Sequence, residues 1–89
     1  MSDYPDLTPG LTGQARATVT PDRTARALGT GAVDVYSSAA LVALLEAAAV
    51  AALADRLPDG QTTVGTHLDV RHLAPTPVGV AVRAEATLR

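Results

Sequence analysis

Between Ser37 and Leu57 the chain reads SSAALVALLEAAAVAALADRL, a stretch whose length and wealth of Ala and Leu dictate a helix. A serine at its start can cap the first turn, and Pro58-Asp59-Gly60 stops it. At about 100° per residue, Leu41, Leu44, Leu45, Ala48 and Ala52 fall on one face. Glu46 falls on the far side, among Val42, Ala43, Val50 and Leu53. No face of the central turns is polar, and a helix that is apolar all round is normally buried. The expectation is therefore one carboxylate within or at the edge of a buried element. Glu46 either faces solvent from an Ala-coated outer surface or serves, partly desolvated, as a base or nucleophile.

The flanking segments carry a different period. From Leu11 to Thr20, LTGQARATVT alternates, with Ala15, Ala17 and Val19 on one face and Gln14, Arg16 and Thr18 on the other, which predicts a half-buried strand. Pro21-Asp22 ends it, and an irregular connection follows, with a short extended piece near Ala32 to Tyr36. Beyond the helix, QTTVGTHLDVRHLAPTPVG predicts a long strand whose face of Val64, Thr66, Leu68, Val70 and His72 lies on the helix. That parity puts His67 on the polar side with Gly65, Asp69 and Arg71, and leaves His72 at the end of the buried row. Pro75 to Gly79 turns the chain, and Val80 to Arg89 alternates again, with Val80, Val82, Ala84, Ala86 and Leu88 facing in. The order predicts an α+β domain, an antiparallel sheet packed on one helix.

Composition removes several classes of function. With 89 residues, the chain makes one domain at most. Seven arginines, no lysine, no basic run and a net charge of -2 offer no footprint for nucleic acid or an anionic membrane. The absence of cysteine excludes disulfides, thiolate nucleophiles and cysteine-based zinc sites, and two histidines with scattered acids leave little for any metal. The apolar run from Ala39 to Ala54 is interrupted by Glu46 and falls short of the roughly 18 residues a membrane span needs. The N-terminal MSDYPDLTPGL carries acids and prolines where a signal peptide has a basic start and an apolar run, so the expected compartment is the cytoplasm.

A helix with a lone Glu, opened by hydroxyl residues and followed by VGTHLDVRHLAPTPVG, resembles the fluoroacetyl-CoA thioesterase-like branch of the hot-dog-fold acyl-CoA thioesterases. In that branch a hydroxyl residue opens the helix, a Glu follows two turns later, and a strand then carries a Gly and a His. Ser38, Glu46, Gly65 and His72 stand at the matching places. The likeness runs from about Leu11 onward and is most specific from Val64 to Gly79. It implies a hot-dog fold, a sheet wrapped around one long central helix, with residues 1–10 as an arm and 11–89 as a partial domain. Hot-dog domains generally continue with two more strands than this sequence contains.

The resemblance also implies roles. Thioester hydrolysis needs an activated water or a nucleophile, a proton source for the leaving thiolate, and donors for the oxyanion. Glu46 is then base or nucleophile, His72 general acid and base, Ser38 the hydroxyl that orients Glu46 or water, and the Gly65 N–H an oxyanion donor. The substrate is a small acyl-CoA, no cofactor or metal is required, and the protein works as a homodimer because hot-dog sites generally lie where two protomers meet. This chain departs from the branch in having Ser38-Ala39 where Thr-Pro is usual, and it has no Phe to build an acyl pocket. The alternative is a non-catalytic, truncated hot-dog module that binds acyl-CoA or a partner chain. Acyl-CoA hydration on the same fold typically needs an Asp and a His near the helix start, and no such pair occurs here.

Overall fold

The computed structural model describes residues 4–89. Its frame is a two-stranded antiparallel sheet, β1 (Thr12–Thr18) and β2 (Ala81–Thr87), lying against a 16-residue helix, α2 (Ser38–Leu53). A 3-10 turn (Pro21–Arg23) and a one-turn helix, α1 (Ala25–Leu28), lie between β1 and α2. The register pairs Thr12 with Thr87 and Thr18 with Ala81, so Ala15 meets Ala84 and Ala17 meets Val82 on the side turned to the helix. Gln14 opposite Glu85 and Arg16 opposite Arg83 take the solvent side.

Two of the three alternating runs, those around β1 and β2, form strands of the predicted parity. Ala15, Ala17, Val82 and Ala86 are half-buried, Val19 and Ala84 fully so, whereas Val80, expected inside, is exposed. The core falls into two clusters. Val19, Tyr36 and Ala40 form one; Leu44, Ala48 and Ala84 form the other, with Val82 touching both. Much of this core is alanine, and that allows a close approach of main chains. A Cβ on Gly13 would stand 2.3 Å from the Ala48 carbonyl oxygen and 2.3 Å from the Ala52 nitrogen. Only glycine lets β1 cross the helix there.

Three expectations are corrected. Helix α2 ends at Leu53 rather than near Leu57, with turns carrying residues 54–56. Nor is it buried all round. Ala40, Leu44, Ala48 and Ala52 are buried on the sheet side, but Leu45 and Val50 are exposed and so is Glu46. Two strands shield only one side of a helix, so an apolar circumference does not enforce burial. The largest correction concerns the segment from Gln61 to Leu73, which forms no strand and is exposed throughout, Val64 at 81% and Leu73 at 86%. β1 and β2 pair with each other, and this segment runs instead over the outer side of α2, where Gly65 meets Glu46. With no strand beside it, alternation alone produces no ladder. His72 is accordingly exposed rather than ending a buried row, and His67 is exposed as its parity predicts.

The irregular connection proves more ordered than its sequence suggests. Thr24 caps α1 by accepting from the Ala27 N–H, and Gly29, at φ 72°, closes it in the left-handed conformation. The expected extended piece appears as two isolated bridges, Thr24 with Tyr36 and Val35 with Pro77. Within the proposed arm, residues 1–3 lie outside the described residues, while the Gly10 N–H donates to the Leu88 carbonyl at 2.8 Å. Among the described residues no helix is long and apolar enough to cross a membrane.

Candidate active site

The start of α2 is fixed from three directions. Ser37, fully buried, caps the helix by accepting from the Ala40 N–H at 3.0 Å, and its own N–H donates to the Arg23 carbonyl. The Tyr36 hydroxyl donates to the Ala40 carbonyl at 3.2 Å. The Tyr36 N–H donates to the Thr76 carbonyl at 2.8 Å, and with the Val35–Pro77 bridge this draws the 72–77 segment to the helix start.

The consequence is a contact across 34 positions. The Ser38 hydroxyl and His72 Nδ1 are hydrogen-bonded at 2.8 Å. The two adjacent serines thus divide the work, Ser37 building the helix and Ser38 facing the imidazole. His72 lies in an open cleft of about 220 Å³ walled by Val35, Leu73, Ala74 and Pro75.

The second pair lies farther along. Glu46 follows Ser38 by eight residues, about 12 Å of helix rise. Its carboxylate stands against Gly65, where an added Cβ would be 3.3 Å from Oε2 and 3.5 Å from Cδ. Ala49, Val50, Thr63 and Val64 complete a cleft of about 160 Å³ around it. The four residues singled out from the sequence therefore fall into two separate pairs, each joining a residue of α2 to one of the segment beyond it, Ser38 with His72 and Glu46 with Gly65. Both clefts open to solvent, and a further hollow of about 370 Å³ between Arg23, Tyr36 and the Ala40–Ala47 side of α2 belongs to neither.

Chemically, a hydroxyl bonded to an imidazole nitrogen supplies a proton relay, and a carboxylate beside a glycine main chain supplies a base with a close-approaching backbone. No group of three or more His, Asp or Glu is placed to hold a metal ion among the described residues. Sequence reasoning passed over Val35 and Thr63. Val35 sits in the short extended piece of an otherwise irregular connection, and Thr63 is one of two adjacent threonines with no pattern to mark either.

Comparison with known proteins bears on this arrangement. The sequence model of the fluoroacetyl-CoA-specific thioesterase family matches residues 19–89. The fluoroacetyl-CoA thioesterase of Streptantibioticus cattleyicolor is 39% identical over 56 residues, 63% of this chain and 40% of that protein, so the match spans well under two thirds of the relative's length. Among solved structures, the fluoroacetyl-CoA thioesterase itself superposes with a TM-score of 0.84 at 31% identity, covering 93% of this chain and 66% of that one. A threonine-to-serine variant in complex with acetyl-CoA superposes at 0.84 with 32% identity, covering 93% and 67%. A phenylalanine-to-alanine variant in complex with fluoroacetate and CoA gives 0.81 at 31% identity, covering 93% and 71%. The two strands and the helix are thus part of a hot-dog fold.

Proposed function

Because the chain belongs to the fluoroacetyl-CoA-specific thioesterase family, we propose that it hydrolyses a small acyl-CoA with Ser38, Glu46, Gly65 and His72. The observation that carries the proposal is the Ser38–His72 hydrogen bond at 2.8 Å, which joins residues 34 apart at the positions the family pattern marks.

In this reading the thioester lies between the two pairs. Glu46 takes a proton from water, or attacks directly, and the new C–O bond turns the carbonyl into an oxyanion that accepts from the Gly65 N–H. Collapse breaks the C–S bond, His72 delivers a proton to the departing thiolate, and Ser38 holds the ring in place through Nδ1. The products are a carboxylate and free CoA thiol; on the direct-attack route collapse leaves the acyl group as an anhydride on Glu46, and a water then hydrolyses it to release the acid and restore the carboxylate. A homodimer and a cytoplasmic location complete the proposal, with a second copy closing clefts that are open in one protomer.

The test is release of free thiol from acetyl-CoA and fluoroacetyl-CoA by the chain and by His72→Ala. Turnover that His72→Ala reduces by about a hundredfold or more supports the roles, and equal turnover by the two proteins refutes them. A second reading, binding of acyl-CoA without turnover, draws on the exposed apolar side chains of Val64, Leu68 and Leu73 along an unpaired segment. Saturable binding of acetyl-CoA with no thiol release would favour it.

A further inference from the structure

We infer that Arg26 is a positioning residue for this site, fixing the strap of residues 32–36 that walls His72; the inference rests on the thioesterase reading above. Its guanidinium makes two hydrogen bonds to the strap. Nε donates to Asp34 Oδ1 at 2.9 Å and Nη2 donates to the Ala32 carbonyl at 2.7 Å. The main chain of α1 engages the same residues, with the Ala25 N–H donating to the Val35 carbonyl and the Arg26 N–H to the Val33 carbonyl.

The strap then leads to both partners of the Ser38–His72 pair. Forward along the chain, Tyr36 and Ser37 anchor the first turn of α2 and so place Ser38. Sideways, Val35 bridges Pro77 and lines the cleft beside His72, while the Tyr36 N–H holds the Thr76 carbonyl. A change in the strap is therefore felt on both sides of the 2.8 Å contact.

Stability does not account for this clip. The Arg26 and Asp34 side chains are 62% and 66% exposed, and an ion pair so open to water contributes little to folding. Its geometry is more particular than its energy. One planar guanidinium reaches a carboxylate and a main-chain carbonyl at once, fixing the strap at two points two residues apart. Placement errors of about 1 Å at a reacting group can cost about a hundredfold in rate, so a weak surface contact can matter greatly to turnover.

The experiment compares Arg26→Met, which keeps the length and loses every donor, with Asp34→Asn, which keeps an acceptor at Oδ1. Each is read by kcat and KM on acetyl-CoA, by thermal midpoint, and by the ring-nitrogen NMR signals of His72. We expect Arg26→Met to lower kcat by about tenfold and to shift the His72 Nδ1 signal, with a midpoint near that of the parent. Asp34→Asn should stay within about twofold of the parent on both measures. A lowered midpoint with unchanged kcat and unchanged His72 signals would make Arg26 merely structural and overturn the inference. A parent chain that releases no thiol refutes the thioesterase reading instead, and the His72 signals, which need no substrate, then decide the positioning role alone.

Discussion

Replacing Gly13 by alanine tests how closely β1 must lie on α2. The new methyl would meet three helix main-chain atoms, the Ala48 oxygen at 2.3 Å, the Ala52 nitrogen at 2.3 Å and the Ala52 Cα at 2.8 Å. No side chain can swing aside, because all three belong to the backbone. Ordinary contact begins at 3.4 Å, so strand and helix must separate by about 1 Å at the crossing, where Ala48 is fully buried and Ala52 nearly so. Overpacking of this kind costs about 1–3 kcal/mol, and rigid neighbours put Gly13→Ala near the upper end. An opposing gain arises in the unfolded chain, which loses about 0.4–1 kcal/mol of conformational freedom when glycine becomes alanine. Gly13 lies outside the positive-φ region, so no backbone penalty is added. The net expectation is a loss of about 2 kcal/mol, a large share of the about 5–15 kcal/mol typical of small domains. Urea unfolding followed by helix circular dichroism measures it, with Gly10→Ala for comparison. Gly10 has open space around it but φ 97°, so its cost is conformational alone, about 1 kcal/mol. A Gly13→Ala midpoint equal to or above that of the parent would refute the close approach.

Three further expectations concern the core, the site and one surface acid. Leu44→Ala removes the largest side chain of the second core cluster, at a residue 9% exposed, and should lower unfolding free energy by about 2–4 kcal/mol in the same urea assay. Gly65→Ala places a methyl 3.3 Å from Glu46 Oε2, close enough to displace the carboxylate by a few tenths of an ångström. Thiol release should fall by about tenfold or more while the urea midpoint holds, and unchanged turnover would count against the pairing of Glu46 with Gly65. The Thr20 hydroxyl donates to Asp22 and holds its carboxyl below the usual value of 3.8, with Arg23 adding a smaller push. A depressed folded-state pKa stabilises the fold above the unfolded value, and that contribution is lost as pH falls through the folded one. NMR titration of Thr20→Val should therefore show the Asp22 pKa moving up towards 3.8, and no movement would exclude the hydroxyl as the cause.

Local period made the helix and both paired strands legible. Ala15, Ala17, Val82, Ala84 and Ala86 turn inward because a strand alternates faces wherever it finds a partner. The residues from Val64 to His72 carry the same alternation and form no strand, since pairing depends on which chain lies alongside and not on the run itself. The exposure of Glu46, one of the two readings its sequence left open, has a related cause. An apolar circumference describes the helix, whereas exposure depends on how many elements surround it, and two strands cover one side. The candidate site became legible through family resemblance, which marked Ser38, Glu46, Gly65 and His72 without their mutual distances. The division of labour between Ser37 and Ser38 was hidden, because both are serines at one helix start and only the chain packed above them distinguishes a cap from a partner of His72. The Arg26 clip was hidden too, since its acceptors, Asp34 and the Ala32 carbonyl, lie in a connection with no periodic signal.

The most direct test of catalysis at this site is thiol release from acetyl-CoA by the 89-residue chain beside its Glu46→Gln variant, with circular dichroism to show that both are folded. The substitution keeps size and shape and removes the basic carboxylate, and because Glu46 is exposed it should leave stability nearly untouched. Release by the parent that falls by at least about a hundredfold in Glu46→Gln is the predicted result. Equal release by the two folded proteins, or none from the parent, would contradict the account.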